Sequence, residues 1–246
     1  MDTLVALSYS PWSEKARWAL DHHRIPYREE AHMPMLGEVL LRLRTRRVTG
    51  RITVPVLIGS SGTVSDSLAI AQRAEQTGHG PRLFPAELMG EILNWNGASE
   101  IALEAGRALV TDNFSHDEEA LAEALPAAVP ESLRKSLIPM ARSGTRFIAR
   151  KYNLGARPLE AHRDRYREQL LALRGRLAAS SPYLLGRFTY ADIAMAAALQ
   201  FMNPPADRYL PLQPGTRRCL YDESLTGEFG DLIRWRDSLY EKHRGK

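Results

Sequence analysis

The 246 residues, 44% of them hydrophobic, supply enough apolar material for two domains and exclude a wholly disordered chain. A net charge of only +4, spread along the chain without zinc-finger spacing or an RNA-binding signature, argues against a nucleic-acid partner and favours small anions. One cysteine, Cys219, excludes an internal disulfide framework. No run approaches the roughly 18 apolar residues of a membrane span, and MDTLVALSYS lacks the features of a secretion signal, so the expectation is a cytoplasmic protein with no membrane partner.

The first 80 residues alternate in pattern. TLVALS reads as a short strand. PWSEKARWALDHH reads as a helix with Trp12, Ala16, Ala19, Leu20 and His23 near one face. PYREEAHM is a strand polar enough for a sheet edge, and LGEVLLRLRTRR a basic amphipathic helix with Leu36, Val39, Leu40 and Leu43 inward. TVPVLI and TVS are strands joined by a tight turn at Ser60–Gly62, and DSLAIAQRAEQTG is a helix ending near Gly78. The order is βαβαββα, with a right-handed crossover between parallel strands in its first half.

GHGPRLFPAE, rich in Gly and Pro, reads as a linker, and no convincing strand pattern follows it. The segment 87–110 is helical; 114–135 is acidic and broken by Pro126 and Pro130; 138–155 is basic. A long helix over 160–180 spaces Tyr166, Leu170, Leu173 and Leu177 by four, three and four, and further helices follow over 188–202 and 228–244. The division is therefore a small α/β domain over 1–79, a linker over 80–86 and an all-helical domain over 87–246.

Four short motifs bear on chemistry. In RFTYADIAMAAAL, Thr189 is a helix cap, Asp192 at N3 reaches back to the cap's own amide, and Phe188 and Ile193 form a hydrophobic staple; Asp192 is read as structural and not as a catalytic acid. In VPVL, Pro55 interrupts an apolar strand and removes a ladder donor. In SDS, Asp66 or Ser67 caps a helix, or Ser67 with the first-turn amides binds a ligand carboxylate. In SPWS, Ser10 followed by Pro11 fits N-cap followed by N1, with Ser13 able to bind a first-turn amide as well. His22 and His23 lie nearly three turns along the same helix, too far to serve as base to Ser10, and no G-x-S-x-G elbow is present. Ser10 is therefore not expected to be a nucleophile; its hydroxyl can donate to a thiolate at the helix N-terminus.

Together these pieces resemble the glutathione transferase superfamily, in its serine- or cysteine-type cytosolic classes and in a bacterial-like form. SYSPWSEKARWAL looks like the family's first βα turn, and TVPVLIGSSGTVSDSLAIAQ like its strand, cis-proline, strand and helix segment. RLFP resembles its domain junction, LLGRFTYADIAMAAAL its buried capped helix, and FGDLIRWRDSLYEKHR its closing helix. The resemblance implies a thioredoxin-like domain that binds glutathione as co-substrate, without a metal, and a helical domain that supplies much of the pocket for a small hydrophobic electrophile. It places the glutathione sulfur at Ser10, with Tyr9 as a weaker alternative, and the cysteinyl backbone at Val54, before a cis Pro55. The γ-glutamyl end falls at Asp66 and Ser67, Trp12 and Ser13 line the site, and Arg47 or Arg51 meets the glycyl carboxylate. The segment 111–158 is longer and more charged than the family pattern and is expected to reshape the electrophile side. Cys219 is expected to be a buried, incidental thiol. A homodimer is implied, covering spare apolar residues on the 36–47 helix and in 92–110. Reductase or isomerase chemistry, or a non-catalytic binding role, are the alternatives; a serine at position 10, where thiol exchange needs a cysteine, weighs against reduction.

Overall fold

A computed structural model describes residues 1–34, 37–47, 49–60, 62–126, 128–180 and 182–244. Strand β1 (Asp2–Ala6) lies parallel to β2 (Tyr27–Ala31) and antiparallel to β3 (Val56–Gly59), which pairs antiparallel with β4 (Gly62–Ser65). The sheet order is β2-β1-β3-β4, so the polar strand YREEA is indeed at an edge. Helices α1 (Pro11–His22), α2 (Gly37–Thr45) and α3 (Ser67–Thr77) complete the βαβαββα unit. The Val54–Pro55 peptide is cis.

Helix α2 corrects the sequence reading. Its inward residue is Leu41, which packs with Val5, Ile52 and Val56, while Val39, Leu40 and Leu43 are 67%, 54% and 72% exposed; Leu36 lies outside the described residues. The rotation is fixed by polar tethers on its flanks. Arg42 donates to the Gly50 carbonyl at 2.8 Å, Arg44 pairs with Glu30 at 2.5 Å, and Glu38 pairs with Lys151 from the helical domain. A small sheet face that one leucine covers cannot use a three-residue stripe, so the stripe faces solvent.

The helical domain begins with α4 (Met89–His116). Next come α5 (Glu118–Glu123) and α6 (Glu131–Arg134), separated by Pro126 and Pro130, then α7 (Ile138–Lys151) and α8 (Leu159–Ser180). It ends with α9 (Tyr190–Ala198), α10 (Pro214–Cys219), α11 (Glu223–Glu228) and α12 (Gly230–His243). Tyr166, Leu170, Leu173 and Leu177 are all buried, as their spacing requires, and Tyr166 Oη donates to the Ala198 carbonyl at 2.6 Å. Helix α4 comes so close to Phe201 that a Cβ on Gly106 would sit 2.9 Å from it, so that position holds glycine. Among the described residues no helix is long and apolar enough to cross a membrane. The Cys219 thiol is buried, and burial pushes its pKa up to about 12.

Helix α9 is buried on every side, and Asp192 secures its start. The carboxylate accepts from the Thr189 amide at 2.8 Å, the Thr189 hydroxyl at 3.2 Å and the Leu184 amide at 2.9 Å. Phe188 turns its ring face to His243, with centroids 3.9 Å apart. Asp192→Ala leaves two buried amides without an acceptor and should cost about 2–5 kcal/mol in urea unfolding. Burial pushes the Asp192 carboxyl up to about 6, against those hydrogen bonds. Its folded pKa thus lies above the unfolded one, so its contribution is full below about pH 4 and lost as pH rises through about 6. The wild type's advantage over Asp192→Asn in urea unfolding should shrink across that interval.

Candidate functional site

The sheet register decides where the expected residues meet. Val5, Val56 and Ser65 form one row across β1, β3 and β4. Chain leaving that row at the same end is Leu7–Ser10 after β1, Val54–Pro55 before β3, and Asp66–Ser67 after β4. Helices α1 and α3 both start there, so two helix N-termini, with the positive ends of their dipoles, face this end of the sheet.

At α1, Ser10 is the N-cap with extended backbone, and its Oγ accepts from the Ser13 amide at 3.5 Å, the outer limit of a hydrogen bond. Pro11 follows at N1, where a missing donor costs nothing. Ser13 is differently occupied: it is fully buried, and its Oγ accepts from the Leu7 amide at 3.1 Å, which fastens the turn between β1 and α1. Ser10 is thus the serine with capacity to spare. Tyr9 stacks on Phe114 at 5.7 Å and its carbonyl accepts from Gln200 at 2.7 Å; burial pushes the phenol up to about 12.

Because Leu7 turns its amide to Ser13, the ladder stops at Val56, and no hydrogen bond ties the Val54 backbone to the described residues. An extended peptide-like group can pair with it. Asp66 is exposed, with φ +85°, and its Oδ1 caps α3 through Leu68 N at 2.8 Å and Ala69 N at 3.4 Å, leaving Oδ2 free of the cap. Ser67 is 1% exposed, and its hydroxyl lies near that of Tyr190 on α9 but outside good hydrogen-bond geometry. Asp66 and Ser67 therefore sit at the site's edge, one as cap and one as a buried hydroxyl without a firm partner.

The other wall is α4. Trp12 donates its indole N–H to Glu100 Oε2 at 2.7 Å, and Glu100 Oε1 takes the Lys15 ammonium at 2.6 Å. Lys15 is fully buried and also donates to Ser99 at 3.0 Å and Asn96 at 3.2 Å. Burial lowers its pKa, and the nearby Glu100 and Asp66 carboxylates raise it. Arg107, two turns beyond Glu100, lies 4.1 Å over the Trp12 ring and 3.7 Å over the Tyr152 ring. Tyr152 and Lys151 end α7, and from there they reach Arg51 (5.2 Å, over the ring) and Glu38 in the sheet domain. The long middle segment thus crosses between the domains. Of the two arginines expected at the site, Arg51 is drawn to this crossing, whereas Arg47 is exposed beyond α2. Among the described residues no group of three or more His, Cys, Asp or Glu could hold a metal.

Residues 9–77 match the N-terminal domain of glutathione S-transferases, and residues 140–237 match their C-terminal domain. The chain belongs to the glutathione S-transferase superfamily. No curated protein matches it. Among solved structures, a glutathione transferase family member from Pseudomonas fluorescens Pf-5 with bound glutathione is 17% identical, covers all of both chains and superposes with a TM-score of 0.61. A glutathione transferase of Phanerochaete chrysosporium is also 17% identical, over 99% of this chain and 98% of that one, with a TM-score of 0.63. A Methylobacillus flagellatus glutathione S-transferase with glutathione bound is 16% identical over 98% and 95%, with a TM-score of 0.57. At such identities the likeness is one of fold, a thioredoxin-like domain followed by a helical one.

Sequence reasoning missed Lys15, Glu100, Arg107 and Tyr152 as one assembly. The available signal was Lys15 itself, a lysine within a run otherwise suited to burial, which needs a carboxylate from elsewhere. The pair should behave asymmetrically. Glu100→Ala strands a buried cation and should cost about 3–5 kcal/mol in chemical unfolding, whereas Lys15→Met, which fills the space without charge, should cost clearly less.

Proposed function

We propose that this transferase joins the thiolate of glutathione to a small electrophile. The observation that carries the reading is the row of three chain segments at one sheet end: Ser10 capping α1, Val54 with a free backbone, and Asp66–Ser67 opening α3. Ser10 donates to the sulfur anion, Val54 pairs with the cysteinyl backbone beside Pro55, and Asp66 with Ser67 holds the γ-glutamyl end. Trp12 and Ser13 shape the floor, and Arg51 is the better placed of the two candidates for the glycyl carboxylate. In the reaction the thiolate forms a sulfur–carbon bond, and the displaced electron pair leaves with a leaving group or settles on the acceptor. No proton need be taken by Ser10.

A free thiol titrates near 8.5, so little thiolate exists at neutral pH. A hydrogen bond to a charged sulfur contributes about 1.5–3 kcal/mol, equivalent to about one to two pKa units, and the α1 dipole acts in the same direction. The coarser elements of the proposal are a cytoplasmic location, a junction over 80–86 between the two domains, and a homodimer that covers apolar side chains such as Leu93 and Ile101 on α4, which are 42% and 38% exposed in one chain.

Retention on glutathione-agarose with elution by free glutathione tests binding, and conjugation of a reactive aryl halide tests transfer. The decisive measurement is a titration of thiolate absorbance in the bound state. Ser10→Ala should raise the bound thiol pKa by about one to two units, with turnover lost near neutral pH and recovered as pH rises. Ser13→Ala should leave that pKa in place and lower stability instead, by about 1 kcal/mol, because the Leu7 amide loses its acceptor. A shift caused by Ser13→Ala alone would reassign the donor.

A further inference from the structure

Arg107 differs from the other arginines held inside this protein. Arg17 is paired with Glu29, Arg244 with Glu14 and Asp21, and Arg236 with Asp237 and the Asn203 side chain. Arg107 is partly buried, and its only contacts of this kind among the described residues are the two aromatic faces of Trp12 and Tyr152. None of its five N–H groups meets a carboxylate or carbonyl oxygen there. Glu100, the acid one would expect to serve it from the same face of α4, is spent on Lys15 and Trp12. Arg51 stands on the same tyrosine ring and adds a like charge. Burial lowers the pKa of Arg107, with a smaller contribution from Arg51, while Tyr152, Glu104 and Glu100 act the other way.

A guanidinium in this state is oriented but unsatisfied. Two rings fix its plane, so its donor edge keeps the fork geometry that a carboxylate matches with two parallel hydrogen bonds. Its location narrows what the anion belongs to. It stands on α4, over the ring of Trp12, which lies two places past Ser10. The partly exposed rings of Trp12 and Tyr152 beside it offer flat apolar surface to whatever carries the charge.

We propose that Arg107 binds a carboxylate on the electrophile, so that the second substrate is an aromatic or conjugated acid and not a neutral hydrophobe. The assignment of that acid as a co-substrate rests on the glutathione-transferase reading; the anion site itself does not. The other source of the same chemistry is the glycyl carboxylate of glutathione.

The test uses a matched pair, 4-chloro-3-nitrobenzoate and 4-chloro-3-nitrobenzamide, with the full-length protein. Calorimetric titration without glutathione comes first. The acid should bind at least tenfold more tightly than the amide, Arg107→Met should bring the two within twofold, and Arg107→Lys should keep part of the difference. Conjugation with glutathione should then show the same order in kcat/KM. Equal binding of acid and amide to the wild type overturns the proposal without any variant, so a poorly folded Arg107→Met cannot shield it. A preference that survives Arg107→Met also overturns it, as does a loss of glutathione affinity of tenfold or more in Arg107→Met or Arg107→Lys with the acid preference intact, which would assign the arginine to the glycyl carboxylate. An acid preference in binding that depends on Arg107, with no conjugate formed from either compound, upholds the anion site and defeats the transferase reading.

Discussion

Helix α1 carries three charges into the interior, and the rest of the molecule is arranged around neutralising them. Glu14, Lys15 and Arg17 are buried in a helix that touches the sheet on one side and the helical domain on the other. An unpaired charge at such a position costs several kcal/mol, so each must have its partner in place before the fold is worth forming. Lys15 finds Glu100 on α4, Arg17 finds Glu29 on β2, and Glu14 finds Arg244 just past the end of α12. Trp18 adds a hydrogen bond to the His243 carbonyl at 3.0 Å. The two domains are therefore joined through the helix whose first turn is the candidate site. A change in how they dock would move Trp12 and Ser10 directly.

That dependence explains which parts could be read from sequence. The run of strands and helices along the chain, the hairpin around Gly59 and Gly62, the start of α3 at Asp66 and the buried spacing on α8 all follow from residues within a few places of each other. So does the Thr189–Asp192 start of α9, where cap and N3 carboxylate are three residues apart. The burial of Glu14, Lys15 and Arg17 is not legible in the same way, because their partners lie 230, 85 and 12 residues away, beyond any local pattern. Helix α2 misled for the opposite reason. Its apolar stripe is real, but the sheet offers room for Leu41 alone, and the tethers through Arg42, Arg44 and Glu38 set the rotation. A hydrophobic stripe reports that a helix could bury a face; tertiary polar contacts decide which face it buries.

The middle segment shows the same logic at longer range. Pro126 and Pro130 stop α5 and force the chain into a short helix before α7 can form, and α7 then returns along α4. Its last residues, Lys151 and Tyr152, reach Glu38 and Arg51 in the other domain. The contacts are an ion pair whose two side chains are largely buried and a cation on an aromatic ring, not a packed apolar seam. The helical domain therefore meets the sheet domain at two separate places, through the buried charges of α1 and through the end of α7.

The charges near the start of α1 then restrict the chemistry. Two helix N-termini face the same sheet end, and Arg51 and Arg107 meet at Tyr152 beside it, while Lys15 and Glu100 neutralise each other. The serine hydroxyls are paired with backbone amides and not with an imidazole or carboxylate. His22 and His23, the nearest histidines in the sequence, are turned toward the carbonyls of Pro81 and His79 at the opposite end of α1. A serine without a base does not attack; it donates, and its donation is worth most where an anion has already lost part of its hydration. Ser10 accepts from one backbone amide, and its own proton remains available to donate.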